Sequence, residues 1–227
     1  MPRRLRIDVG GIVYHVLNRR VGRMTIFDGE SDYAAFVELL DEAYVKIPVR
    51  VVAYCLMPNH WHLVVWPGED GELSRYMQWL TTTHMRRWHA HRGTRGTGPL
   101  YQGRYRSFPI QEDLHFLAVC RYVERNALRA KLVKRAEGWP WSSLARRSRV
   151  EPCDWLVPIE DWPVAPPKDW AAFVNRAETD AEISAIQQSV ARGSPYGEAT
   201  WQKRTATRLK LHSSLRDPWR PRRGEDK

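Results

Sequence analysis

The sequence predicts an α+β fold, in which an antiparallel β-sheet carries helices mainly on one face. Two observations lead to this prediction. First, short runs rich in β-branched and aromatic residues alternate with longer stretches whose apolar residues recur at helical spacing. Second, two of the β-rich runs, residues 49–56 and 60–66, are separated only by a Met-Pro-Asn turn, which indicates a hairpin of antiparallel strands.

Local signals set the bounds of each predicted element. Ser31 is a candidate N-cap ahead of a helical apolar pattern, Pro48 ends that helix, and Asp113 can start another. The predicted elements are, in order, a strand at 12–17, a basic loop at 18–23, a helix at 31–46, strands at 49–56 and 60–66, a helix at 72–92, a glycine-rich loop at 93–99, a strand or ribbon at 101–110, and a helix from 113 to about 132. This order, β-α-β-β-α-β-α, is typical of a ferredoxin-like sheet.

The chain divides into two predicted parts. Residues 1–150 form the main domain, and residues 151–227 form a proline-rich linker and a basic, helical C-terminal extension. Within the extension, Thr179-Asp180-Ala181-Glu182 is a capping-box pattern, Gly193 ends that helix, and a second helix starts near Tyr196. Two such helices are compatible with a helix-turn-helix or with a hairpin that braces the main domain, and the sequence leaves both open.

The composition indicates a polyanionic partner. The 227 residues carry a formal net charge of +10, with a pI of about 9.8. No apolar run approaches the roughly 18 residues of a spanning helix, and no signal-peptide core follows the basic N-terminus, so no membrane partner is expected. The cysteines, Cys55, Cys120 and Cys153, are odd in number and unclustered, which indicates a reducing, cytoplasmic location. The expected partner is therefore nucleic acid, with no small-molecule substrate.

Two histidines form the first candidate site. His60 and His62 lie two residues apart in a predicted strand, so their side chains share one face of the sheet and Trp61 points to the other. At that spacing both imidazoles can bind one divalent ion, each at about 2.0–2.2 Å. A two-histidine site with open positions fits a catalytic ion better than a structural one. A structural or incidental role for the pair remains the alternative.

A second group of histidines lies in the predicted helix at 72–92. His84, His89 and His91 alternate with arginines in this segment. We therefore interpret them as residues that are protonated or contact phosphate, in preference to metal ligands.

A tyrosine and an asparagine on the third predicted helix form the next candidate pair. Tyr122 and Asn126 are four residues apart, so they share one helix face about 6 Å apart along the axis. Asparagine is unfavourable inside a helix, which indicates that its side chain has a function. Asn126 can offer its carbonyl oxygen as a third ligand to an ion held by the histidines, and Tyr122 would then face a metal-bound phosphate. The alternative, that Tyr122 is a packing residue of an amphipathic helix, stays open at this point.

Five segments, taken together and in order, resemble a known family. They are Tyr-His-Val-Leu-Asn-Arg at 14–19, Met-Pro-Asn-His-Trp-His-Leu at 57–63, Gln-Gly-Arg-Tyr-Arg at 102–106, Tyr-Val-Glu-Arg-Asn at 122–126 and Trp-Pro-Trp-Ser-Ser at 139–143. Over about residues 10–145 the chain is similar to the HUH single-tyrosine transposases, in particular to the REP-associated tyrosine transposase branch of the IS200-like transposases. One departure is Ala127, where many relatives have proline; this difference should affect helix geometry more than chemistry.

The resemblance implies a role for each candidate residue. It implies that His60, His62 and Asn126 hold a divalent ion, Mg²⁺ or Mn²⁺, and that Tyr122 attacks a phosphodiester of single-stranded DNA. The product would be a 5′-phosphotyrosine and a free 3′-hydroxyl, and the 3′-hydroxyl of a second strand can reverse the step. These roles fit the chemistry, because a free tyrosine has a pKa near 10 and a divalent ion on the phosphate offsets both its low ionisation and the repulsion between anions.

A basic and aromatic segment predicts the DNA-binding surface. Residues 86–106 contain six arginines and no acidic residue, with aromatic residues between them. Arginine binds phosphate bidentately and aromatic side chains stack on unpaired bases, although a solvated basic loop is the alternative. A second basic patch lies near the first strand. The predicted DNA-binding residues are Arg4, Asn18, Arg19, Arg86, Arg87, Gln102, Arg104, Tyr105 and Arg106.

Together, these patterns and the resemblance predict a metal-dependent single-stranded DNA endonuclease and strand transferase that nicks and rejoins DNA at REP-like hairpins. Two rivals stay open: a replication-initiator or relaxase-type HUH nickase, and a non-catalytic protein that only binds hairpin DNA. Single-stranded or hairpin DNA is the expected partner in each case. The sequence leaves undetermined whether the protein acts as a monomer or a homodimer.

Overall fold

A four-stranded antiparallel sheet with the strand order β2-β3-β1-β4 forms the centre of the protein. The computed structural model describes residues 7–149 and 153–216. Its strands are β1 Val13–Arg19, β2 Arg50–Met57, β3 His60–Trp66 and β4 Arg106–Ile110. Its α-helices are α1 Glu30–Lys46, α2 Glu72–His91, α3 Leu114–Glu124, α4 Asn126–Arg129, α5 Ser143–Arg147, α6 Trp170–Asn175, α7 Asp180–Arg192, α8 Ala199–Arg208 and α9 His212–Leu215. The predicted α+β class and the ferredoxin-like order of elements are confirmed.

The alternation of side chains along the strands separates two hydrophobic cores. Trp61, Leu63 and Val65 of β3 point to the face covered by α1 and α2, the two helices of the ferredoxin-like unit. His62 and Val64 point to the opposite face, which α3 covers together with segments of the C-terminal region. The sheet is thus buried on both faces, and its β1 and β3 strands are mostly apolar for that reason.

Three of the predicted bounds before residue 111 were wrong. Helix α1 begins after Gly29, so Ser31 lies inside the helix, and the backbone N–H of Asp28 donates to the Asp32 carboxylate. The predicted strand at 101–110 is shortened to β4, because Gly103 has a positive φ of 136° that interrupts extended pairing. Asn18 and Arg19 belong to the end of β1 and not to a loop.

The third predicted helix is divided at Arg125. Helix α3 ends at Glu124, and the short α4 begins at Asn126. The backbone carbonyl of Tyr122, near the end of α3, accepts hydrogen bonds from the Arg129 guanidinium at 3.3 Å. Despite the division, the helical hydrogen bonds from Arg125 N–H to the Arg121 carbonyl and from Arg129 N–H to the Arg125 carbonyl are kept, so Asn126 stays on the same side as Tyr122. Asp113 is the N-cap of α3, as predicted.

The C-terminal region packs on the main domain. Helix α7 has the predicted capping box at Thr179 and the predicted glycine C-cap at Gly193, and it packs against β4 and α3. Trp162, Trp170 and Ile186 belong to the same core as α3. This packing favours a bracing role over a helix-turn-helix. Helix α8 begins at 199, three residues later than predicted.

Both outer strands of the sheet are bonded to later parts of the chain. On the β2 side, Val51 donates its backbone N–H to Trp155, and Leu56 donates to Trp141. On the β4 side, Tyr196 donates its N–H to the carbonyl of Pro109. Along the part of the chain that the structure describes, no helix has the length and apolar character needed to cross a membrane.

Candidate active site

The two predicted histidines line a cavity of about 800 Å³ at one end of β1 and β3. Because His60 and His62 are two residues apart on β3, they face the same side of the sheet, and their ring centroids are 5.0 Å apart. Two imidazoles that share one ion at about 2.1 Å from each nitrogen have centroids roughly 5 Å apart. The separation of the two rings is therefore compatible with joint binding of one divalent ion.

Hydrogen bonds orient both rings. The Nδ1 atom of His60 lies 2.6 Å from Oδ1 of Asn59, and the Nδ1 atom of His62 lies 2.8 Å from Nε2 of His15. In each ring the Nδ1 position is occupied by a protein partner, so Nε2 is the nitrogen that remains for an ion. This is the arrangement that metal-binding histidines adopt when a second group fixes their tautomer.

Tyr122 approaches the histidines from α3. Its ring centroid is 5.9 Å from that of His62 and 6.4 Å from that of His15. The side chain is 6% exposed and lines the cavity beside Asn126, which is also buried. The structure thus brings the predicted histidine pair, the tyrosine and the asparagine to one cavity.

The chemistry of the donor set limits the ions that would fit. Within the described residues, no group of three or more His, Cys, Asp and Glu side chains could hold a metal. A third protein ligand would therefore be an amide. The amide side chains that line the cavity are Asn18, Gln102, Gln187 and the predicted ligand Asn126. Two nitrogens and one neutral oxygen fit Mn²⁺ and, because imidazole favours softer ions, hold Mg²⁺ less tightly.

Arg129 and Gln187 set the environment of the Tyr122 hydroxyl. Burial raises the pKa of Tyr122, and the negative charge of Glu178 adds to this effect, whereas the positive charge of Arg129 and a hydrogen bond from the Gln187 side chain lower the pKa. The Arg129 guanidinium lies 4.0 Å from the centre of the Tyr122 ring and is paired with the buried carboxylate of Glu178 at 2.9 Å. Arg129 belongs to α4, and Gln187 belongs to α7 of the C-terminal extension, which therefore forms one wall of the cavity.

The other wall of the cavity is strongly basic. It contains the predicted residues Asn18, Arg19, Gln102, Arg104 and Arg106. Arg23 and Arg129 add two further cations, and no acidic side chain is among the described residues that line the cavity. A concave surface of this charge attracts the phosphates of a nucleic acid strand.

The remaining predicted DNA-binding residues lie elsewhere. Tyr105 lines an adjoining cleft together with Arg104. Arg86 and Arg87 lie near the end of α2 and do not line the cavity, and Arg87 forms a salt bridge of 2.6 Å with Glu42 of α1. Arg4 lies outside the described residues.

One interpretation of a histidine was wrong. His84 does not face solvent or phosphate; it is buried in the core under α1 and α2, where its Nδ1 atom lies 2.6 Å from the Tyr101 hydroxyl. The helical apolar pattern, in which His84 continues the row of Leu73, Met77 and Leu80, was the signal that it belongs to the core.

Burial keeps four histidines neutral, and this predicts sensitivity to acid. Desolvation lowers the pKa of His15 and of His84 to about 3, that of His60 to about 4, and that of His62 well below its ordinary value. Because unfolded histidines titrate near 6.5, the unfolded chain binds more protons than the folded chain from pH 6.5 down to about 4. The free energy of unfolding should therefore fall in this range, by up to about 1.4 kcal/mol per pH unit for each histidine.

Urea unfolding across the range from neutral to mildly acidic pH measures this effect. The variant His84→Gln is the control. It should be less stable at neutral pH. The slope of its free energy of unfolding against pH should be smaller than that of the wild type by the contribution of one proton, up to about 1.4 kcal/mol per pH unit. A free energy of unfolding that stays constant as the pH falls through this range would contradict the prediction.

Sequence reasoning did not identify the cavity-lining polar residues Arg23, Arg129 and Gln187, or His15, which is hydrogen-bonded to His62. His15 is a polar residue in an apolar strand, which was a usable signal. Arg129 lies seven residues after Tyr122, two helical turns further on the same side. Gln187 reaches the site through the packing of α7, and no local pattern could indicate this contact.

The chain is similar to a known protein family and to solved structures. A family model described as "Transposase IS200 like" matches residues 8–126, slightly more than half of the chain. A solved structure of a REP-associated tyrosine transposase bound to a REP hairpin is similar in fold: the TM-score is 0.55 at 18% identity, over 71% of this chain and 94% of that chain. A putative transposase from Deinococcus radiodurans has a TM-score of 0.39 at 16% identity, over 49% of this chain and 88% of that chain. No curated protein matches the sequence.

The matched region begins before β1 and ends at Asn126, so it contains the histidine pair, the tyrosine and the asparagine. With these residues gathered at one basic cavity of a ferredoxin-like sheet, and with the family match extending over that same region, the chain belongs to the IS200-like transposase family.

Proposed function

We propose that this transposase is a metal-dependent endonuclease and strand transferase for single-stranded DNA, and that it acts on REP-like hairpins through a covalent tyrosine intermediate. The observation that carries the proposal is the position of the Tyr122 ring, 5.9 Å from His62 in a cavity that both share with His60 and Asn126. The similarity in fold to a transposase that was solved with a REP hairpin supports the choice of substrate.

The proposed step is an exchange of phosphodiester bonds. The Tyr122 hydroxyl oxygen attacks the phosphorus of the scissile phosphate, and the bond from phosphorus to the 3′ oxygen breaks. The phenol loses its proton, and the leaving 3′ oxygen gains one, so the number of protons is unchanged. The products are a 5′-phosphotyrosine and a free 3′-hydroxyl. In the reverse direction a 3′-hydroxyl from another strand attacks the phosphotyrosine, so rejoining needs no external energy source.

The residues of the cavity contribute to this step in different ways. A Mn²⁺ or Mg²⁺ ion held by His60, His62 and Asn126 would supply positive charge at the scissile phosphate. Arg129 and the Gln187 hydrogen bond both favour negative charge on the Tyr122 oxygen and so oppose the effect of burial. The arginines of the basic wall would bind the flanking phosphates and orient the strand.

A covalent adduct assay tests the proposal. The protein is incubated with Mn²⁺ and a single-stranded hairpin whose single-stranded flank contains the cleavage site, and the products are separated under denaturing conditions. A 3′-labelled strand should give a protein–DNA adduct, and a 5′-labelled strand should give a shorter fragment with a 3′-hydroxyl. Binding of the hairpin with neither product would favour a non-catalytic hairpin-binding protein. An adduct on the 5′-labelled fragment would contradict the proposed polarity.

The proposal includes a cytoplasmic location. It is supported by the three cysteines, Cys55, Cys120 and Cys153, which are free thiols in the structure.

The basic wall predicts a specific dependence of DNA binding on salt. Because each phosphate contact releases counterions, we expect the logarithm of the binding constant to fall linearly with the logarithm of the salt concentration. The variant Arg104→Ala should weaken binding and reduce the magnitude of the slope by about 0.7 to 1, because it removes one phosphate contact of the cavity. Fluorescence anisotropy with a labelled hairpin at several salt concentrations measures both quantities.

Arg87→Ala is the matched control for this experiment. It removes the same charge from the protein, but Arg87 is paired with Glu42 and lies outside the cavity. We expect its salt slope to equal that of the wild type. Equal losses in the two variants would show that net charge, and not the cavity, determines binding.

The contact between the C-terminal extension and Tyr122 predicts a smaller effect on the rate. In Gln187→Ala the Tyr122 hydroxyl loses a hydrogen bond that favours its ionised form. The loss of one hydrogen bond, worth about 0.5–1.5 kcal/mol, should slow adduct formation by up to about tenfold. Single-turnover kinetics measure the rate, and Gln188→Ala, which changes the neighbouring exposed residue of α7, should leave it unchanged. A faster rate in Gln187→Ala would mean that the contact restrains the tyrosine.

A further inference from the structure

We propose that His15 is a positioning residue, which accepts a hydrogen bond from Nδ1 of His62 and so leaves Nε2 of His62 available to bind a metal ion. The inference rests on the proposed metal site and adds to it a group that does not touch the ion. Its basis is the buried hydrogen bond of 2.8 Å between Nε2 of His15 and Nδ1 of His62.

The hydrogen bond between the two rings has two possible forms. When His62 donates through Nδ1, its Nε2 atom carries a lone pair and can bind an ion. When His15 donates through Nε2 instead, His62 carries its proton on Nε2 and cannot bind an ion at that atom. A metal site on His62 therefore requires His15 to be the acceptor, with its own proton on Nδ1.

The surroundings of His15 hold its ring in one orientation. The residue lies on β1, diagonally opposite His62, and only 1% of it is exposed. Its ring stacks on Phe108 of β4, with the centroids 4.8 Å apart and the planes inclined by 30°. Phe108 is the direct pairing partner of His15 in the sheet. A ring fixed in this way by the sheet can present Nε2 to His62 without reorganisation when an ion arrives.

His60 is supported differently. Its Nδ1 atom faces an amide oxygen of Asn59, which is part of the turn before β3 and, because of its chemistry, can only accept. The amide oxygen therefore already selects the donor form of His60. The partner of His62 is different, because His15 can be either the donor or the acceptor of the hydrogen bond. The loss of His15 should therefore affect the metal site through the tautomer of His62.

The test measures Mn²⁺ affinity without DNA, by isothermal titration calorimetry or by the electron paramagnetic resonance of free Mn²⁺. The variant His15→Leu removes the acceptor and should weaken Mn²⁺ binding about 10- to 100-fold, the range observed when partners of metal-binding histidines are removed. The variant His15→Gln retains an oxygen acceptor and should stay within about threefold of the wild type. His84→Leu is the matched control, because it removes a buried histidine hydrogen bond in the other core and should leave Mn²⁺ affinity unchanged.

A second measurement covers the case in which His15→Leu does not fold. In ¹⁵N-labelled wild-type protein saturated with diamagnetic Mg²⁺, NMR should find the protons of both His62 and His15 on Nδ1. A proton on Nε2 of His62 would overturn the inference, as would a folded His15→Leu variant with wild-type Mn²⁺ affinity. Wild-type affinity in His15→Leu together with a normal covalent adduct would remove this inference alone. If His15→Leu binds Mn²⁺ more weakly but the wild-type protein forms no adduct, the result would support this inference and remove the proposed function.

Discussion

Replacing Tyr122 with phenylalanine is expected to abolish the covalent adduct between protein and DNA, with a loss of at least about 10³-fold in the rate of strand cleavage. The substitution removes the only oxygen of this side chain and leaves the ring. The ring keeps its position beside His62 and its contact with the Arg129 guanidinium, so the fold and the cavity should be unchanged. The dissociation constant for the hairpin should stay within about threefold of the wild type, because phosphate contacts dominate binding.

The control for Tyr122→Phe is Tyr105→Phe. Tyr105 lies in the adjoining cleft and would be the next candidate nucleophile if the assignment of Tyr122 were mistaken. Denaturing electrophoresis of 3′-labelled DNA should show an adduct with Tyr105→Phe and none with Tyr122→Phe. The opposite pattern would transfer the role of nucleophile to Tyr105, and an adduct in both variants would require a different residue.

Replacing either of the paired histidines with alanine is the second change with a large expected effect. In His60→Ala or His62→Ala, one of the two nitrogen ligands of the proposed ion is lost, and an amide oxygen cannot compensate for it. We expect Mn²⁺-dependent cleavage to fall by at least about 10²-fold, together with a loss of measurable Mn²⁺ binding in the absence of DNA. Chelation of the ion with EDTA should have the same effect on the wild type.

The two histidine variants should differ in stability. His62 is buried and bonded to His15, so His62→Ala leaves a cavity and an unpaired nitrogen, at a cost of about 1–3 kcal/mol, whereas His60 is half-buried and should cost less. Circular dichroism therefore accompanies each activity measurement. A folded His62→Ala variant that still cleaves with Mn²⁺ would exclude this histidine as a ligand.

Much of the site could be predicted from the spacing of residues along the chain. The period of two along β3 places His60 and His62 on one face, and the spacing of four between Tyr122 and Asn126 survives the division of the helix at Arg125. The distance between strand and helix could not be derived from spacing, because it depends on how α3 packs over the second core. The family resemblance supplied that relation, and the structure is consistent with it.

The residues that escaped prediction depend on long-range packing. Gln187 meets Tyr122 across 65 positions of the chain (187 minus 122), through the docking of α7. Glu178, which pairs with Arg129, comes from the same region. His84 was predicted to contact phosphate because arginines surround it in the sequence. In the structure, its helix places it in the core, where it is hydrogen-bonded to Tyr101.

The backbone bonds at the margins of the sheet have a consequence for assembly. Unpaired N–H and C=O groups on an outer strand are the usual point at which another polypeptide adds itself to a sheet. Here the backbone carbonyls of Trp141 and Trp155 accept hydrogen bonds from β2, and the backbone N–H of Tyr196 donates to Pro109 of β4. Pro109 itself has no backbone N–H. At these positions, β2 and β4 are closed to strand addition by a second copy of the molecule.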